Sequence, residues 1–407
     1  MNKKALVLAI GAALVIPTAM AQKGGGKGEA EPDSVVTLYG KVYPELVFPS
    51  SSGATAAGHA VCSICSPAVG TNAIIKRTEM ESSNSRFGVR GHERLGGGLK
   101  AIFQLETIFL VDNAGSAFAT RDSFVGLAHK GWGTVKLGRM DTPFKEYGDD
   151  VSFLGVSSGN FTSISGIYRH IGFGTQNNAA RFHERRNNVV QYESPDWGPF
   201  DFKVQWSTNE AKTATRDPRV LSFGAKYEMG PLSVLVAHEI HHDLFGLSAN
   251  VPSALRNNGD QTVRSKDQAT AVALMFKTGG HQFSIEANRK KYEEPSSTAG
   301  RVRSYQNNAY MFVWDARWSQ QWRTGFHHVK ATAGKCSIVA MDCNTGGLEG
   351  TQTSFGVAYH FSRRTYLFLM ASLVRNGYSS VYNNSNLQGP NPGEDIRQVG
   401  IGLHTSF

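Results

Sequence analysis

The sequence predicts an all-β chain: sixteen antiparallel strands closed into a barrel that crosses a membrane. Three observations carry this. The chain opens like an exported protein yet has no later apolar run long enough for a membrane helix. Its β-rich segments are two-faced. The connections between them alternate strictly between short and long.

The opening MNKKALVLAIGAALVIPTAMAQ sets Lys3 and Lys4 ahead of an apolar run over 5–16 and then Ala19, Met20 and Ala21. A basic start, an apolar region too short to span a bilayer and a small-x-small site read as a signal peptide over 1–21. KGGGKGEAEPDS (23–34) makes 22–34 a flexible leader, and 35–407 is left for the barrel. Beyond residue 21 there is no run of roughly 18 apolar residues, which excludes a helical membrane protein. The formal charge is +9, and taking away Lys3 and Lys4 leaves +7. A basic excess suits anionic solutes, membrane surfaces or nucleic acid, and export removes nucleic acid from the candidates. Four cysteines form two local pairs, Cys62 with Cys65 and Cys336 with Cys343. In an oxidising compartment each pair can close a small loop, although four cysteines allow three connectivities. CSIC (62–65) also has redox C-x-x-C spacing, but it lies in a polar loop rather than ahead of a helix.

The first predicted strand is VTLYGKVYPELVF (36–48), followed by 85–93, 99–109, 122–130 and 134–139. Each is short, β-branched or aromatic, and alternating. Next come 187–195, 200–208, 220–229, 232–242 and 268–278. The remaining six are 281–292, 305–318, 321–331, 353–362, 365–376 and 396–407, which brings the count to sixteen. Tight turns lie at 94–98, 131–133, 196–199, 230–231, 279–280, 319–320 and 363–364, several with the Gly or Pro that sharp reversals need. Long polar segments fill the alternate gaps: 49–84, 110–121, 140–186, 209–219, 243–267, 293–304, 332–352 and 377–395. One trimmed rim and one elaborated rim are the layout of an antiparallel membrane barrel. Closure leaves no unpaired edge for hydrocarbon to meet, and a wall apolar outside and polar inside needs only the 40% hydrophobic content found here. Aromatics at strand ends, Tyr39, Phe109, Phe200, Trp318, Trp322 and Phe361, fit interfacial girdles. The last strand ends on QVGIGLHTSF, with Val399, Ile401, Leu403, Thr405 and Phe407 on one face.

Several blocks resemble the Gram-negative general porins of β-proteobacterial type: VTLYGKV (36–42), SRFGVRGHERLGGGLKAIFQLE (85–106), SFVGLAHKGWGTVKLGRMDTP (123–143), RRNNVVQYESPDWGPF (185–200) and VGIGLHTSF (399–407). The resemblance spans the mature chain in order. It implies an outer-membrane barrel with short periplasmic turns and long extracellular loops, the third loop folded into the lumen. It also implies a homotrimer, in contact with outer-membrane lipid and lipopolysaccharide, each subunit a water-filled channel for small solutes and ions. No cofactor, metal or catalytic residue is implied. Phe407 is then part of the signal read by the barrel-assembly machinery.

The same resemblance makes about 141–184 the constriction loop, with Asp141, Glu146, Asp149 and Asp150 as its acidic side and Arg86, Arg121 and Arg185 as a basic wall. A ring of fixed charge in a narrow passage selects ions. Alternation adds its own reading: Phe87 and Val89 share one face of their strand, so Arg86, Arg90 and His92 point into water. Likewise Gln282, Ser284, Glu286, Asn288 and Lys290 should line the channel, as should Lys100, Gln104 and Glu106, with Ile102 out of pattern. The acidic loop motif of enterobacterial porins is absent, and arginines outnumber acids, so anion preference is expected. HEIHH (238–242) formally matches a zinc-peptidase motif. On a strand its outer histidines would lie about 13 Å apart, too far for one zinc. The alternatives are an outer-membrane hydrolase and an adhesin barrel with a plugged lumen.

Overall fold

A computed structural model describes residues 33–82, 84–113, 118–151, 154, 160–384 and 389–407. The expected signal peptide, and the leader up to residue 32, lie outside the described residues.

Among the described residues the wall runs β1 (Ser34–Val42), β2 (Glu45–Ser52), β4 (Arg86–Gly96), β5 (Leu99–Ile108), β6 (Ser123–His129), β7 (Gly133–Asp141), β8 (Arg185–Glu193) and β9 (Phe200–Ser207). It continues through β10 (Arg219–Met229), β11 (Leu232–His242), β12 (Lys266–Thr278), β13 (His281–Glu293), β14 (Val302–Arg317), β15 (Trp322–Ala331), β17 (Gly350–His360), β18 (Thr365–Asn376) and β19 (Asp395–Ser406). Every neighbouring pair is antiparallel. Two short strands in long loops, β3 (Glu79–Glu81) and β16 (Lys335–Ile338), extend β2 and β14.

The seam closes on the first strand. Expected as one segment over 36–48, it is broken around Pro44, which has no N–H to give the ladder. β1 pairs with β4 through Lys41↔Arg86, and β2 pairs with β19 through Val47↔Gly400. Counting β1 and β2 as one wall strand gives a closed sixteen-stranded barrel. Phe407 completes the seam: its N–H donates to the Gly40 carbonyl at 3.1 Å, and its ring lies against Gly40, where a Cβ would collide with it.

Strand alternation decides the two faces. On β12, Val272, Leu274 and Phe276 are exposed outward while Ala269, Ala271, Ala273 and Met275 are buried inward. The same outward band includes Val36, Val125, Ile285, Phe355 and Ile401, each 40% or more exposed. At roughly 25 cal/mol per Å² such a belt is unfavourable in water and favourable against hydrocarbon. Trp132, Trp197, Trp318, Trp322 and Phe361 all sit at short turns and are exposed, a girdle at one rim. Tyr39 differs from the girdle expectation. It faces the lumen, its hydroxyl donating to Glu106 at 3.1 Å, because its neighbours Leu38 and Gly40 hold the outward positions.

Candidate functional site

The long segment between β7 and β8 turns into the barrel. It begins with α1 (Pro143–Asp149), started by Thr142, whose hydroxyl accepts from the Lys145 N–H, and by a proline in the first turn. A four-residue turn of helix, α2 (Ser165–Tyr168), follows. Apolar side chains glue this segment to the inner wall: Phe144, Phe161, Ile167, Tyr168, Ile171, Phe173 and Phe182 are fully buried. The wall makes room with small residues. A Cβ at Gly224 would collide with the Tyr147 ring and one at Gly400 with Phe161, while Ala237, Ala271 and Ala273 face α1.

Polar contacts fix the segment's position. Arg169 Nη2 lies 2.7 Å from Glu286 Oε1, both side chains almost wholly buried, with the guanidinium stacked near Phe144 and Tyr168. Lys290 Nζ donates to the carbonyls of Ile167, Tyr168 and His170 at 3.3, 3.1 and 2.6 Å, satisfying the open end of α2. Asn288 Nδ2 donates to the Tyr168 carbonyl at 2.9 Å. Ser284, Glu286, Asn288 and Lys290 are all inward on β13; most of them hold the loop. Burial pushes the imidazoles of His170 and His183 down to about 3, Arg181 adding to the effect at His170 and Lys145 at His183.

The predicted charged residues fall into three groups. Arg86 and Arg121 share one carboxylate: Arg86 Nε is 3.7 Å from Glu106, and Arg121 pairs with the other Glu106 oxygen. Arg90, on the same inward face, is exposed and lies over the Tyr39 ring at 5.0 Å. Arg185, first residue of β8, meets Asp122 at 2.5 Å and Asp141 at 2.8 Å. Asp141 is thus the last residue of β7, joined to a wall arginine rather than set across water from it. Glu146 pairs with Lys203 on β9 at 2.5 Å and Asp150 with Lys226 on β10 at 3.7 Å. Asp149 is 3.2 Å from Lys145 and 3.1 Å from His183. Glu146 and Asp150 therefore tie the loop to wall lysines, while Asp149 pairs within the loop; Lys226 is shared by Asp150, Asp201 and Glu228, so both signs of charge keep accessible surface here. Lys203 and Lys226 were not singled out from sequence, although FDFKVQW (200–206) alternates so that Asp201, Lys203 and Gln205 share the inner face.

A second loop also enters. In residues 377–384, Tyr382 is fully buried, against Gly350, with Asn307 Nδ2 3.4 Å from its hydroxyl. The Val381 N–H donates to Gly172 O at 2.9 Å, and Asn384 bonds the Phe161 carbonyl. Inner faces from β11 to β19 lie largely beneath these two loops. Side chains of β1, β4 and β6 to β7 on the inner face, such as Thr37, Arg86, Arg90 and Lys136, keep accessible surface.

A family model described as Gram-negative porin matches residues 5–378. The chain belongs to that family. It is similar to an outer membrane porin protein of Bordetella pertussis, 30% identical over 172 residues, which are 39% of this chain and 42% of that protein. Outer membrane porin protein 32 of Delftia acidovorans is 35% identical over 164 residues, 37% of this chain and 43% of that protein. The chain spans under half the length of these curated relatives. A solved structure described as an anion-selective porin from Comamonas acidovorans shares the fold, with TM-score 0.69 and 22% identity, covering 92% of this chain and 100% of that one. A trimer form of OmpT, an outer membrane protein of Vibrio cholerae, shares it with TM-score 0.61 and 14% identity, covering 92% and 100%. The porin is an outer-membrane β-barrel.

In this porin HEIHH lies on β11. His238 and His242 point outward, while Glu239 and His241 point inward and bond each other at 2.8 Å. The motif's two outer histidines and its glutamate are on opposite faces of one sheet, which no zinc site can use. The structure joins Cys62 to Cys65 and Cys336 to Cys343. Asn344 and Ser63 exchange backbone and side-chain hydrogen bonds at 2.8 and 2.9 Å, and the Cys62 N–H donates to Ser379 Oγ at 2.9 Å. The disulfide loops are stitched to the inserted final loop.

Proposed function

We propose that this porin is a passive diffusion channel for small hydrophilic solutes and ions, with anion preference and without cofactor or chemistry. The observation that carries the reading is a single closed wall, apolar outside, with a cationic patch on its inner face at β4: Arg86 and Arg121 on one carboxylate, Glu106, and exposed Arg90 over the Tyr39 ring. The loop acids Glu146, Asp149 and Asp150 each lie against a lysine, which weakens their field, while Arg90 has an exposed side chain free to act on a permeating ion. Asp141 and Arg185 act as an anchoring pair at the root of the constriction loop, about 141–184. Residues 1–21 serve as the signal peptide and 22–34 as the leader. Assembly is as a homotrimer, in line with the trimer form described for the OmpT structure. Phe407 serves as the recognition residue for the barrel-assembly machinery, and the outward band meets outer-membrane lipid and lipopolysaccharide.

The test is a pair of measurements on purified protein. Liposomes containing it should swell in small sugars and not in large ones. The reversal potential across a potassium chloride gradient should take the sign of chloride selectivity. Cation selectivity removes the anion preference, and absence of swelling removes the diffusion channel.

A further inference from the structure

Two neighbouring short turns, residues 318–321 between β14 and β15 and 361–364 between β17 and β18, enclose a cavity of about 740 Å³. Arg317, Gln320, Gln321, His360, Ser362 and Arg363 line it, and no described carboxylate does. Its charge is uncompensated: neither Arg317 nor Arg363 forms an ion pair among the described residues. Arg323, which faces Arg317 in register, is by contrast held by Asp315 at 2.7 and 3.0 Å.

The cavity opens to the lumen. Asp315, two residues before Arg317, accepts the Leu154 N–H of the constriction loop at 2.8 Å, so alternation along β14 turns Arg317 to the same inner face. His360 packs on Tyr366 at 4.7 Å, and Tyr366 stacks on His404 at 4.4 Å, an aromatic group on the inner wall. The frame is rigid before anything binds. The His360 N–H donates to Gln321 O at 2.7 Å, Ser319 Oγ accepts from the Gln321 and Trp322 N–H groups at 3.1 Å, and Ser362 Oγ accepts from Arg364 and Thr365, also at 3.1 Å. Trp318, Trp322 and Phe361 fix both turns in the girdle.

We propose that this cavity is a binding site for tetrahedral oxyanions of the phosphate class, at the short-turn mouth of the channel. Two planar guanidinium forks match the paired oxygens of a phosphate, and the glutamine amides, serine hydroxyls and imidazole supply further donors. A monatomic chloride has no paired oxygens to match a fork and is a single acceptor centre, so it gains less from two separate forks than a phosphate does. The site holds phosphate-bearing solutes at the mouth, so it rests on the channel reading above.

The test uses the intact porin in a planar bilayer carrying a potassium chloride current, with inorganic phosphate added to one side at a time. Phosphate on the short-turn side should reduce the current at a concentration at least tenfold lower than on the long-loop side. Arg363→Gln should raise that concentration about tenfold, and Arg317→Gln/Arg363→Gln should abolish the sidedness. Arg364→Gln removes the same charge from the same turn outside the cavity and should leave the block unchanged. A wild-type current indifferent to phosphate, or equal weakening by Arg363→Gln and Arg364→Gln, overturns the site. Absence of any chloride current overturns the channel reading instead.

Discussion

Replacing Glu286 by glutamine should release the constriction loop without opening the barrel. Glu286 sits on β13 and its partner Arg169 on the loop, 2.7 Å apart, with side chains 2% and 0% exposed. Removing one member of such a buried pair strands the other charge away from water and costs about 3–5 kcal/mol. That corresponds to roughly a hundred- to several-thousand-fold loss in the ratio of seated to displaced loop. The wall ladder of β13 is backbone and keeps its thirteen partners on β12, so closure is unaffected. Single-channel recording reads the effect directly. Glu286→Gln should show a changed main conductance and frequent substates, with the heat-induced unfolding of the barrel in detergent unmoved. Arg169→Met/Glu286→Leu, which removes both charges and fills the site with apolar groups, should behave more like the parent than the single variant does. Parental conductance and noise in Glu286→Gln, or a double variant more disturbed than the single one, refutes the reasoning.

Three further outcomes follow from the same contacts. His170 and His183 are held neutral by burial at about 3, below the unfolded value near 6.5. Their contribution is therefore complete above about pH 6.5 and falls as the pH drops toward 3, by about 3 kcal/mol per histidine at pH 4.5. Channel noise should rise over that window, and should rise less in His170→Gln/His183→Gln. Dithiothreitol, or Cys62→Ser/Cys65→Ser, should increase current fluctuations through the Cys62–Ser379 contact to the final loop and the Ser63–Asn344 contact that joins the two disulfide loops; parental noise after reduction counts against that coupling. Gly224→Leu should shift α1, because its side chain needs the space of the Tyr147 ring, with about 1–3 kcal/mol of overpacking read as altered conductance.

The wall was legible because alternation reports a face without needing any partner. HQFSIEANRKK alone was enough to turn Ser284, Glu286, Asn288 and Lys290 inward, and the alternating turn lengths were enough to order the strands. What fills the lumen was not legible. Tyr147 fits Gly224, Phe161 fits Gly400 and Tyr382 fits Gly350, and each pairing joins residues tens to hundreds of positions apart with no periodic mark. The insertion of residues 377–384 had no local signal for the same reason. Charge identity was visible, but pairing was not: Glu146, Asp149 and Asp150 read as a free acidic arc until Lys203, Lys145 and Lys226 were placed beside them. Tyr39 shows a related limit, since an aromatic at a strand end can serve the lumen as well as the interface.

A water-filled passage beside the arginines of β4 is the feature on which the channel depends. Such a passage predicts stepwise current increments from purified protein in a planar bilayer, with Arg86→Glu/Arg90→Glu reversing or strongly weakening chloride selectivity. A protein that inserts without conducting, or one that conducts with selectivity indifferent to those two positions, contradicts it.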